Sequence, residues 1–415
     1  MRRETKAAGG TEGVEDAPEV AILGAGPVGL DAALAAADRG WPFTVYERGA
    51  APAAHVRRWG HVRLFSPWSM NASPRMRERL SGRGAEVPDG DGCPTGHELA
   101  DRLLDPVAEL PEVAANLRTE TRVISVGRRG LLKHEAIGDP ERARRPFRIL
   151  LVDEEGRERT AGADVVLDCT GTYGNPNALG DGGVPAPGEL ESGARIQRHV
   201  PDVSGRRERW EGREVLLVGA GHSAQTAARD LAELATDGGD TRVHWALRSD
   251  DPGWYAVDDD PLPARDRLTS RAAALASDPP PGFRVHRGVV VDRLARFGDR
   301  VRVELRRGDA SAETLEVDRV VSLTGYVGDH TLYRQLQVHE CYATSAPMKL
   351  AAELLASDAT DCLAQESHGA ATLENPEPGF YVLGEKSYGR NSTFLMTTGW
   401  DQVSAVFGAL EDARG

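Results

Sequence analysis

The sequence predicts an α/β protein of two Rossmann-like, three-layer domains, each with a small β-meander, in which the second domain is nested in the first. Two observations predict this fold class. A βαβ pattern with a glycine-rich turn occurs twice, at residues 20–47 and 215–247. A further apolar run that ends in Thr-Gly also occurs twice, at residues 164–171 and 318–325. Two copies of one plan in a chain of 415 residues indicate two domains.

The first βαβ unit begins with the apolar run Val20–Leu23, which predicts a buried strand. A glycine turn at residues 24–29 leads into a helical stretch that ends near Gly40, since glycine commonly follows the last helical residue. A second apolar run, Phe43–Tyr46, predicts the next strand and ends at Glu47. This order is that of a strand, a crossover helix and a parallel strand.

The second unit repeats the order with the apolar run Val215–Val218, a glycine turn at residues 219–224 and a helix to about Thr236. A strand-like run follows at residues 241–247. The Asp- and Pro-rich stretch at residues 250–267 predicts a surface loop. A closing helix is expected from about residue 399.

Period-2 alternation around polar turns predicts the meanders at residues 147–152 and 301–305. The predicted division of the chain, from composition and repeat positions, is a flexible tail at 1–18, the first part of the first domain at 19–205, the nested second domain at 206–317 and the rest of the first domain at 318–415.

Composition excludes several classes of protein. The formal net charge of −14 argues against a nucleic-acid partner, because such partners are bound through phosphate attraction to basic surfaces. No apolar run approaches the length of a membrane span, and the N-terminus lacks the apolar core of a secretory signal, so a cytoplasmic location is expected. Four cysteines without C-x-x-C spacing predict neither a disulfide framework nor a zinc site, and scattered His and Cys predict no other metal.

The first glycine turn has the pattern G-x-G-x-x-G at Gly24, Gly26 and Gly29, between a strand and a helix that Pro27 opens. The first glycine permits the tight turn, the second lets the backbone approach a pyrophosphate, and the third lets helix and strand pack closely. Glu47 lies 18 residues beyond Gly29, where an acid bonds ribose hydroxyls. This context favours a dinucleotide site over a plain tight turn.

The second turn carries Gly219, Gly221 and the accepted Ala224 at the third position. Arg248 lies 27 residues beyond Gly221 at the end of the next strand, and no acid stands in the run 242–249. An arginine there accommodates a 2′-phosphate, which favours NADPH over NADH. The alternative is a solvated surface cation. Two dinucleotide sites in one chain indicate that a nicotinamide reduces a flavin.

These motifs resemble the two-dinucleotide-binding-domain flavoproteins, the group that includes thioredoxin reductases and the flavin-containing (class B) monooxygenases. The resemblance covers nearly the whole chain from about Glu19 and implies FAD in the first domain and NADPH in the second. The cofactor-binding residues that it implies, together with those of the glycine turns, are Gly24, Gly26, Pro27, Gly29, Glu47, Arg48, Trp59, Arg63, Val123, Thr170, Gly171, Gly219, Gly221, His222, Ser223, Ala224, Arg248, Thr324, Gly325, Gly384, Glu385 and Gln402.

Departures from the group's patterns separate its branches. The disulfide reductases of the group need a C-x-x-C, which is absent here. The monooxygenase fingerprint around a histidine is also absent: His199 is present, but no Phe or Gly stands at the required offsets, which disfavours a Baeyer–Villiger enzyme. The run Lys-Ser-Tyr-Gly-Arg at residues 386–390 resembles a segment of a bacterial branch of monooxygenase-like flavoproteins.

Residues 57–74 are where a monooxygenase-like protein would carry the chain past the flavin ring. Asn71, in Asn-Ala-Ser, resembles the Asn-x-Ser of flavin-containing monooxygenases, and its alternative is a helix N-cap ahead of Pro74. His61 could move a proton, although a lone histidine is more often structural. Trp59 is either a substrate-stacking group or a core or lid aromatic. Asn71 and His61 are therefore the candidate catalytic residues.

The sequence thus predicts an FAD-dependent NADPH oxidoreductase. The resemblance implies a monooxygenase that uses O₂ and a flavin C4a-hydroperoxide to oxygenate a small nitrogen or sulfur nucleophile, with N-hydroxylation favoured. Two alternatives stay open: an NADPH-dependent reductase or oxidase without oxygen insertion, and a non-catalytic redox sensor that binds dinucleotides. The expected partners are a small-molecule substrate and O₂. A homo-oligomer also stays open, since residues 253–255 suit either a lid or a subunit contact.

Overall fold

The computed structural model describes residues 17–237, 240–310, 312–356 and 369–414. All of the predicted tail except its last two residues therefore lies outside the described part, as does Cys362. Among the described residues, no helix combines the length and the apolar character needed to cross a membrane.

The chain forms two five-stranded parallel sheets, two three-stranded antiparallel meanders and one short two-stranded ribbon in its described part. The strands are β1 Val20–Leu23, β2 Phe43–Tyr46, β3 Leu117–Arg118, β4 Arg122–Arg128, β5 Phe147–Val152, β6 Glu158–Ala163, β7 Val165–Asp168, β8 Ile196–Gln197, β9 Glu214–Val218, β10 Arg242–Ala246, β11 Phe283–His286, β12 Val290–Phe297, β13 Arg300–Arg306, β14 Glu313–Val317, β15 Arg319–Ser322, β16 Glu340–Cys341, β17 Ala346–Pro347 and β18 Phe380–Val382.

Helices connect the strands and cover the parallel sheets. They are α1 Pro27–Asp38, α2 Ala54–Arg58, α3 Trp68–Asn71, α4 Pro74–Ser81, α5 Gly96–Leu99, α6 Asp105–Ala108, α7 Pro111–Ala114, α8 Pro140–Arg144, α9 His222–Thr236, α10 Pro263–Ser277, α11 Met348–Ala356, α12 Gly369–Leu373 and α13 Met396–Asp412. A π-helical turn at Ala100–Leu104 joins α5 to α6. Short 3₁₀ turns lie at Asp181–Gly183, Gly193–Arg195, Arg207–Arg209, Thr331–Tyr333 and Gly384–Tyr388.

The first parallel sheet has the order β18-β7-β1-β2-β3, with β1 at its centre. All four residues of β1 are buried, as expected for a parallel strand covered on both faces. One face packs against α1 and α13 through residues such as Ile22 and Leu167, and the other packs against the β4–β6 meander through Leu23 and Val166. The sheet therefore lies between a helical layer and a meander, as the predicted fold class requires.

The second sheet has the order β11-β10-β9-β15-β8 and the same three-layer arrangement. Val215 and Leu217 of β9 face α9 and α10, whereas Leu216 faces the β12–β14 meander. The predicted α/β fold class is confirmed, and both meanders lie where the alternating pattern placed them.

Two strands of the second sheet, β8 and β15, lie outside the range 206–317 that was predicted for the second domain. β8 lies at one edge of that sheet, and β15 pairs with both β8 and β9. The chain therefore returns to the first sheet after residue 322, later than the repeat pattern indicated. The Asp- and Pro-rich stretch is a loop only to residue 262, because α10 begins at Pro263.

Candidate active site

One large cavity of about 740 Å³ runs between the two glycine turns. Gly24, Gly26 and Glu47 line it from the first domain, and His222 and Ser223 line it from the start of α9. The carboxyl ends of parallel strands, where ligands bind in open α/β sheets, thus meet at one cavity.

The first glycine turn is shaped as a phosphate site. Gly24 has φ +98°, and a Cβ there would lie 2.8 Å from the Cys169 carbonyl oxygen, so the tight turn needs glycine. A Cβ on Gly29 would collide with the Gly24 carbonyl oxygen. A Cβ on Gly26 would meet nothing within 4 Å. Since Gly26 precedes α1 without a side-chain cap, the first-turn N–H groups of α1 are available to an anion beside open space.

Glu47 fixes this turn from the end of β2. Its carboxylate accepts hydrogen bonds from the Ala25 amide at 2.9 Å and from the Gly49 amide at 2.6 Å. Each carboxylate oxygen keeps a free lone pair, so Glu47 can still accept hydrogen bonds from the ribose hydroxyls expected there. The neighbouring Arg48 is exposed, and its guanidinium lies 3.1 Å from His55 Nε2.

A buried ion pair supports the far side of the turn. Lys386 Nζ lies 2.6 Å from Asp168 Oδ2 and donates to the Asp329 carbonyl oxygen at 2.7 Å, with both side chains of the pair fully buried. The Asp168 carboxylate also accepts from the Thr170 amide and hydroxyl, at 3.1 and 2.6 Å. Thr170 and Gly171 line the cavity, so this pair holds part of its wall.

The 384–388 turn closes the first site from the C-terminal side. Gly384 and Glu385 line the cavity, and burial raises the pKa of the Glu385 carboxyl. Gln402 of α13 accepts from the Gly384 amide and donates to Ser387 Oγ, both at 2.8 Å. Gln402 is therefore a positioning residue for the turn and does not itself line the cavity.

The second glycine turn repeats the geometry of the first. Gly219 has φ +129°, and a Cβ there would collide with the Leu323 carbonyl oxygen. A Cβ on Gly221 would meet nothing within 4 Å, and Gly221 precedes α9 without a side-chain cap. Ala224 is buried against the sheet, and Arg248 is exposed just beyond β10. The residues present thus fit a second dinucleotide as they fit the first.

Thr324 and Gly325 lie behind the second turn rather than in the cavity. The Thr324 hydroxyl donates to the Asn177 carbonyl oxygen at 3.2 Å, and Gly325 has φ +88°. These contacts connect the end of β15 to the segment that precedes β8.

Comparison with known proteins assigns the family. A model of the pyridine nucleotide-disulphide oxidoreductase family matches residues 18–342. The chain belongs to this family. As a pyridine nucleotide-disulphide oxidoreductase family member, the protein is an oxidoreductase that uses FAD and NAD(P)H. No curated protein sequence matches it significantly.

Solved structures share the fold at low sequence identity. The bacillithiol disulfide reductase Bdr from Bacillus cereus is 18% identical with a TM-score of 0.68, covering 96% of this chain and 100% of its own. The ornithine N-hydroxylase KtzI from Kutzneria sp. 744 is 16% identical with a TM-score of 0.63, and the thioredoxin reductase from T. acidophilum is 15% identical with a TM-score of 0.57. Each of these two covers 96% of this chain and 100% of its own.

An aromatic cluster that sequence reasoning missed walls the cavity of this family member. The rings of Tyr173 and Tyr326 lie 5.0 Å apart, and Tyr173 also contacts Trp59 at 6.1 Å and His55 at 6.3 Å. His55 Nδ1 and Trp59 Nε1 are buried without a hydrogen-bond partner in the described part of the chain. The signal was in the repeat, since a tyrosine follows each Thr-Gly, directly in one copy and two residues on in the other.

Tyr326 orients His199 at this wall. The Tyr326 hydroxyl donates to the Arg198 carbonyl oxygen and lies 2.9 Å from His199 Nδ1. Because a hydroxyl has one proton and a carbonyl oxygen only accepts, His199 Nδ1 must carry the hydrogen of the second bond. Nε2 of the neutral ring is then an acceptor, and burial lowers the pKa of His199, which favours this neutral form.

The two predicted catalytic residues do not line the cavity. The Asn71 amide accepts from Ser66 Oγ at 2.8 Å and donates to the Ser66 carbonyl oxygen at 2.9 Å, so both its polar atoms are engaged. The residue that caps the following helix is Ser73, whose hydroxyl accepts from the Met76 amide. His61 also lies outside the cavity lining, with a buried Nε2. Asn71 thus supports the turn whose residues Phe65 and Ser66 do line it.

Of three other predicted residues, two line the cavity and one packs in the core of the meander. Trp59 and Arg63 line the cavity together with Val62, Leu64, Phe65 and Ser66, which are six of the eighteen residues in the segment 57–74 expected to pass the flavin ring. The side chain of Val123 packs at the edge of the meander core, away from the cavity. The Trp59 side chain also fills space against Gly96, so it is packed on one side and open on the other.

His222, which lines the cavity, is expected to make the stability of the folded protein depend on pH. Burial, with a smaller contribution from Arg265, lowers the pKa of His222 to about 4, below its ordinary value near 6.5. The unfolded chain therefore takes up a proton between about pH 6.5 and 4 that the folded chain refuses, so stability falls as the pH falls through this window. We expect His222→Gln to remove about 2 kcal/mol of the stability loss between pH 7.5 and 5.

Urea unfolding of the FAD-loaded protein at both pH values measures this difference. His134→Gln is the matched control, because it replaces an exposed histidine away from the cavity. Equal pH losses for the wild type and His222→Gln would show that folding leaves the pKa of His222 unchanged.

Proposed function

We propose that the protein is an NADPH-dependent flavoprotein monooxygenase that oxygenates a small nitrogen or sulfur nucleophile, with N-hydroxylation favoured. The observation that carries the proposal is the aromatic-walled cavity that joins both nucleotide turns. Of the described cysteines, Cys169 alone lines it, and burial raises the pKa of its thiol well above the ordinary value. The cavity therefore offers no described thiol pair to which a flavin could pass electrons.

The residues of the chain supply binding, orientation and water exclusion. FAD, when bound, would supply the chemistry of hydride transfer from the nicotinamide and of oxygen reduction. The open space at Gly26 and the N-terminus of α1 suit the FAD pyrophosphate, and Gly221 with α9 suits that of NADPH. His222 lies at the start of α9 with its ring 5.1 Å from Phe65, which brings the second site against the cavity wall of the first domain.

Two features of the wall suit oxygenation of a nucleophile. The rings of Trp59, Tyr173 and Tyr326 form an aromatic wall, which limits the access of water to the reacting atoms. His199 lines the cavity, and in its neutral form Nε2 is an acceptor for the proton that an amine loses when it is hydroxylated. A base held neutral by burial is ready to act at neutral pH without first losing its own proton.

Isotope-labelled oxygen tests this proposal. The FAD-loaded protein is incubated with NADPH, ¹⁸O₂ and a panel of primary amines, amino acids and thioethers, and products are examined by mass spectrometry. We expect one ¹⁸O atom in a product and NADPH consumption that depends on that substrate. Hydrogen peroxide equal to NADPH with every compound, together with anaerobic turnover on small disulfides or quinones, would replace the proposal with a reductase. Tight cofactor binding without turnover would favour a redox sensor.

The preference for NADPH is a separate prediction. Arg248 is exposed at the end of β10, where the adenosine ribose of the second dinucleotide is expected. A charge-assisted hydrogen bond contributes about 1.5–3 kcal/mol, which corresponds to about 10- to 100-fold in affinity. We expect Arg248→Gln to raise the KM for NADPH by that factor and to leave the KM for NADH within about twofold.

Steady-state flavin reduction with each nucleotide measures the effect. Arg242→Gln is the matched control, because Arg242 is exposed at the opposite end of the same strand. An equal change for NADPH and NADH would place Arg248 away from the 2′-phosphate.

A further inference from the structure

Three arginines of α9 and α10 line the cavity. Arg229 lies on α9, and Arg267 and Arg271 lie one turn apart on α10. We call Arg229, Arg267 and Arg271 the arginine patch. Its position was not predictable from the loop expected at residues 250–267, because the first residues of α10 fall within that range.

Both helices present a continuous stripe to the cavity. The α9 residues that line it are His222, Ser223, Thr226 and Arg229, and those of α10 are Ala264, Arg267, Leu268 and Arg271. These spacings of three, four and seven residues place each set on one helix face. The arginines therefore line the same cavity as the apolar Leu268 and as Val62 and Phe65 of the first domain, and Arg267 and Arg271 are exposed to solvent.

The patch has few competing acids. Arg229 lies 2.7 Å from Asp230 of its own helix, and burial raises the pKa of the Asp230 carboxyl. Within the described part of the chain, Arg267 and Arg271 make no ion pair, and their neighbour Asp266 does not line the cavity. A cluster of cations facing a cavity in a chain of net charge −14 concentrates anions at that point.

Arg229 of the patch is separated from the expected phosphates of the second dinucleotide. Those phosphates belong at the start of α9, and Arg229 lies seven residues further along, which is about 10 Å of helix. The 2′-phosphate of NADPH belongs at the end of β10 beside Arg248, which does not line the cavity. Arg229 thus lies away from the expected phosphates of the second dinucleotide.

We infer that the arginine patch binds the anionic end of the substrate, which is a small molecule with a carboxylate remote from its nucleophilic atom. This inference deepens the proposed function and rests on it for the identity of the reaction. The same cavity is also lined by apolar residues that suit the carbon chain of such a molecule, and guanidinium groups suit carboxylates through bidentate hydrogen bonds. A substrate held at both ends is oriented for reaction.

Citrate binding tests the patch without requiring any turnover. The FAD-loaded protein is saturated with NADP⁺, so that the nucleotide phosphate sites are filled, and is titrated with citrate by calorimetry at low ionic strength. We expect wild-type protein to bind citrate with NADP⁺ present. Arg267→Gln/Arg271→Gln should weaken binding at least about tenfold, because two guanidinium contacts are lost.

The matched control is Arg293→Gln/Arg296→Gln, which removes two exposed arginines of β12 outside the cavity. It should bind citrate like the wild type, which separates the patch from the effect of total charge. Absence of citrate binding to the wild type, its loss when NADP⁺ is bound, or unchanged binding by Arg267→Gln/Arg271→Gln would each overturn the inference.

The outcome is distinguishable from that of the proposed function. Citrate binding at the patch with no ¹⁸O product in any reaction would leave an anion site in an enzyme of different chemistry. An ¹⁸O product without citrate binding would leave the monooxygenase and remove the anionic anchor.

Discussion

Gly26→Ala is expected to abolish FAD binding and to leave the chain folded. Gly26 has φ −80°, which alanine adopts without strain, and its Cβ would meet no protein atom within 4 Å. The methyl group would instead occupy the space through which a pyrophosphate approaches the N-terminus of α1. We expect the affinity for FAD to fall at least about 100-fold, or nearly 3 kcal/mol.

Equilibrium dialysis against FAD and the circular dichroism of the apoprotein together measure this effect. Gly221→Ala is the matched control, because Gly221 has φ −69° and its Cβ is equally free of protein contacts. That variant should bind FAD normally and lose NADPH instead. FAD bound by Gly26→Ala with wild-type affinity would place the pyrophosphate away from this turn. Gly24→Ala cannot serve here, since its φ of +98° would disturb the fold itself.

Local patterns predicted the features that are built locally. The two glycine turns, the strands on either side of them and both meanders follow from residue spacing, because backbone sterics and periodic burial act over a few residues. The C-terminal boundary of the nested domain does not follow from local patterns. β15 has the same sequence plan as β7, yet it pairs with β9 in the second sheet, and only the tertiary pairing shows which sheet it joins.

Side-chain contacts over long distances account for the remaining differences. Asn71 has the pattern of a catalytic amide, but both its polar atoms bond Ser66 and it does not line the cavity. α10 begins at a proline in a stretch rich in turn residues, and proline is equally suited to the first helical position, so composition alone could not separate loop from helix. Lys386 is buried, although lysine is usually exposed, because it is paired with the buried Asp168. The two residues are 218 positions apart in sequence, so local patterns could not predict the pair.

Lys386→Met is expected to destabilise the folded protein by about 3–5 kcal/mol, because it leaves the buried Asp168 carboxylate without its cation. The Thr170 amide and hydroxyl would remain as its hydrogen-bond donors, and they do not neutralise the charge. Since Thr170 lines the cavity, weaker FAD retention should accompany the lower stability. Urea unfolding of the FAD-loaded protein, followed by circular dichroism and by flavin release, measures both.

Two further variants show whether the unpaired charge is the cause. Lys349→Met removes a lysine whose ammonium lies 3.0 Å from Glu374, in a pair that is about half exposed, and should cost less than about 1 kcal/mol. Lys386→Met/Asp168→Asn removes both charges and should be more stable than Lys386→Met alone, because no buried carboxylate is left uncompensated. If the double variant were no more stable than Lys386→Met, the loss would come from the packing of the lysine chain against Gly328 and not from the charge.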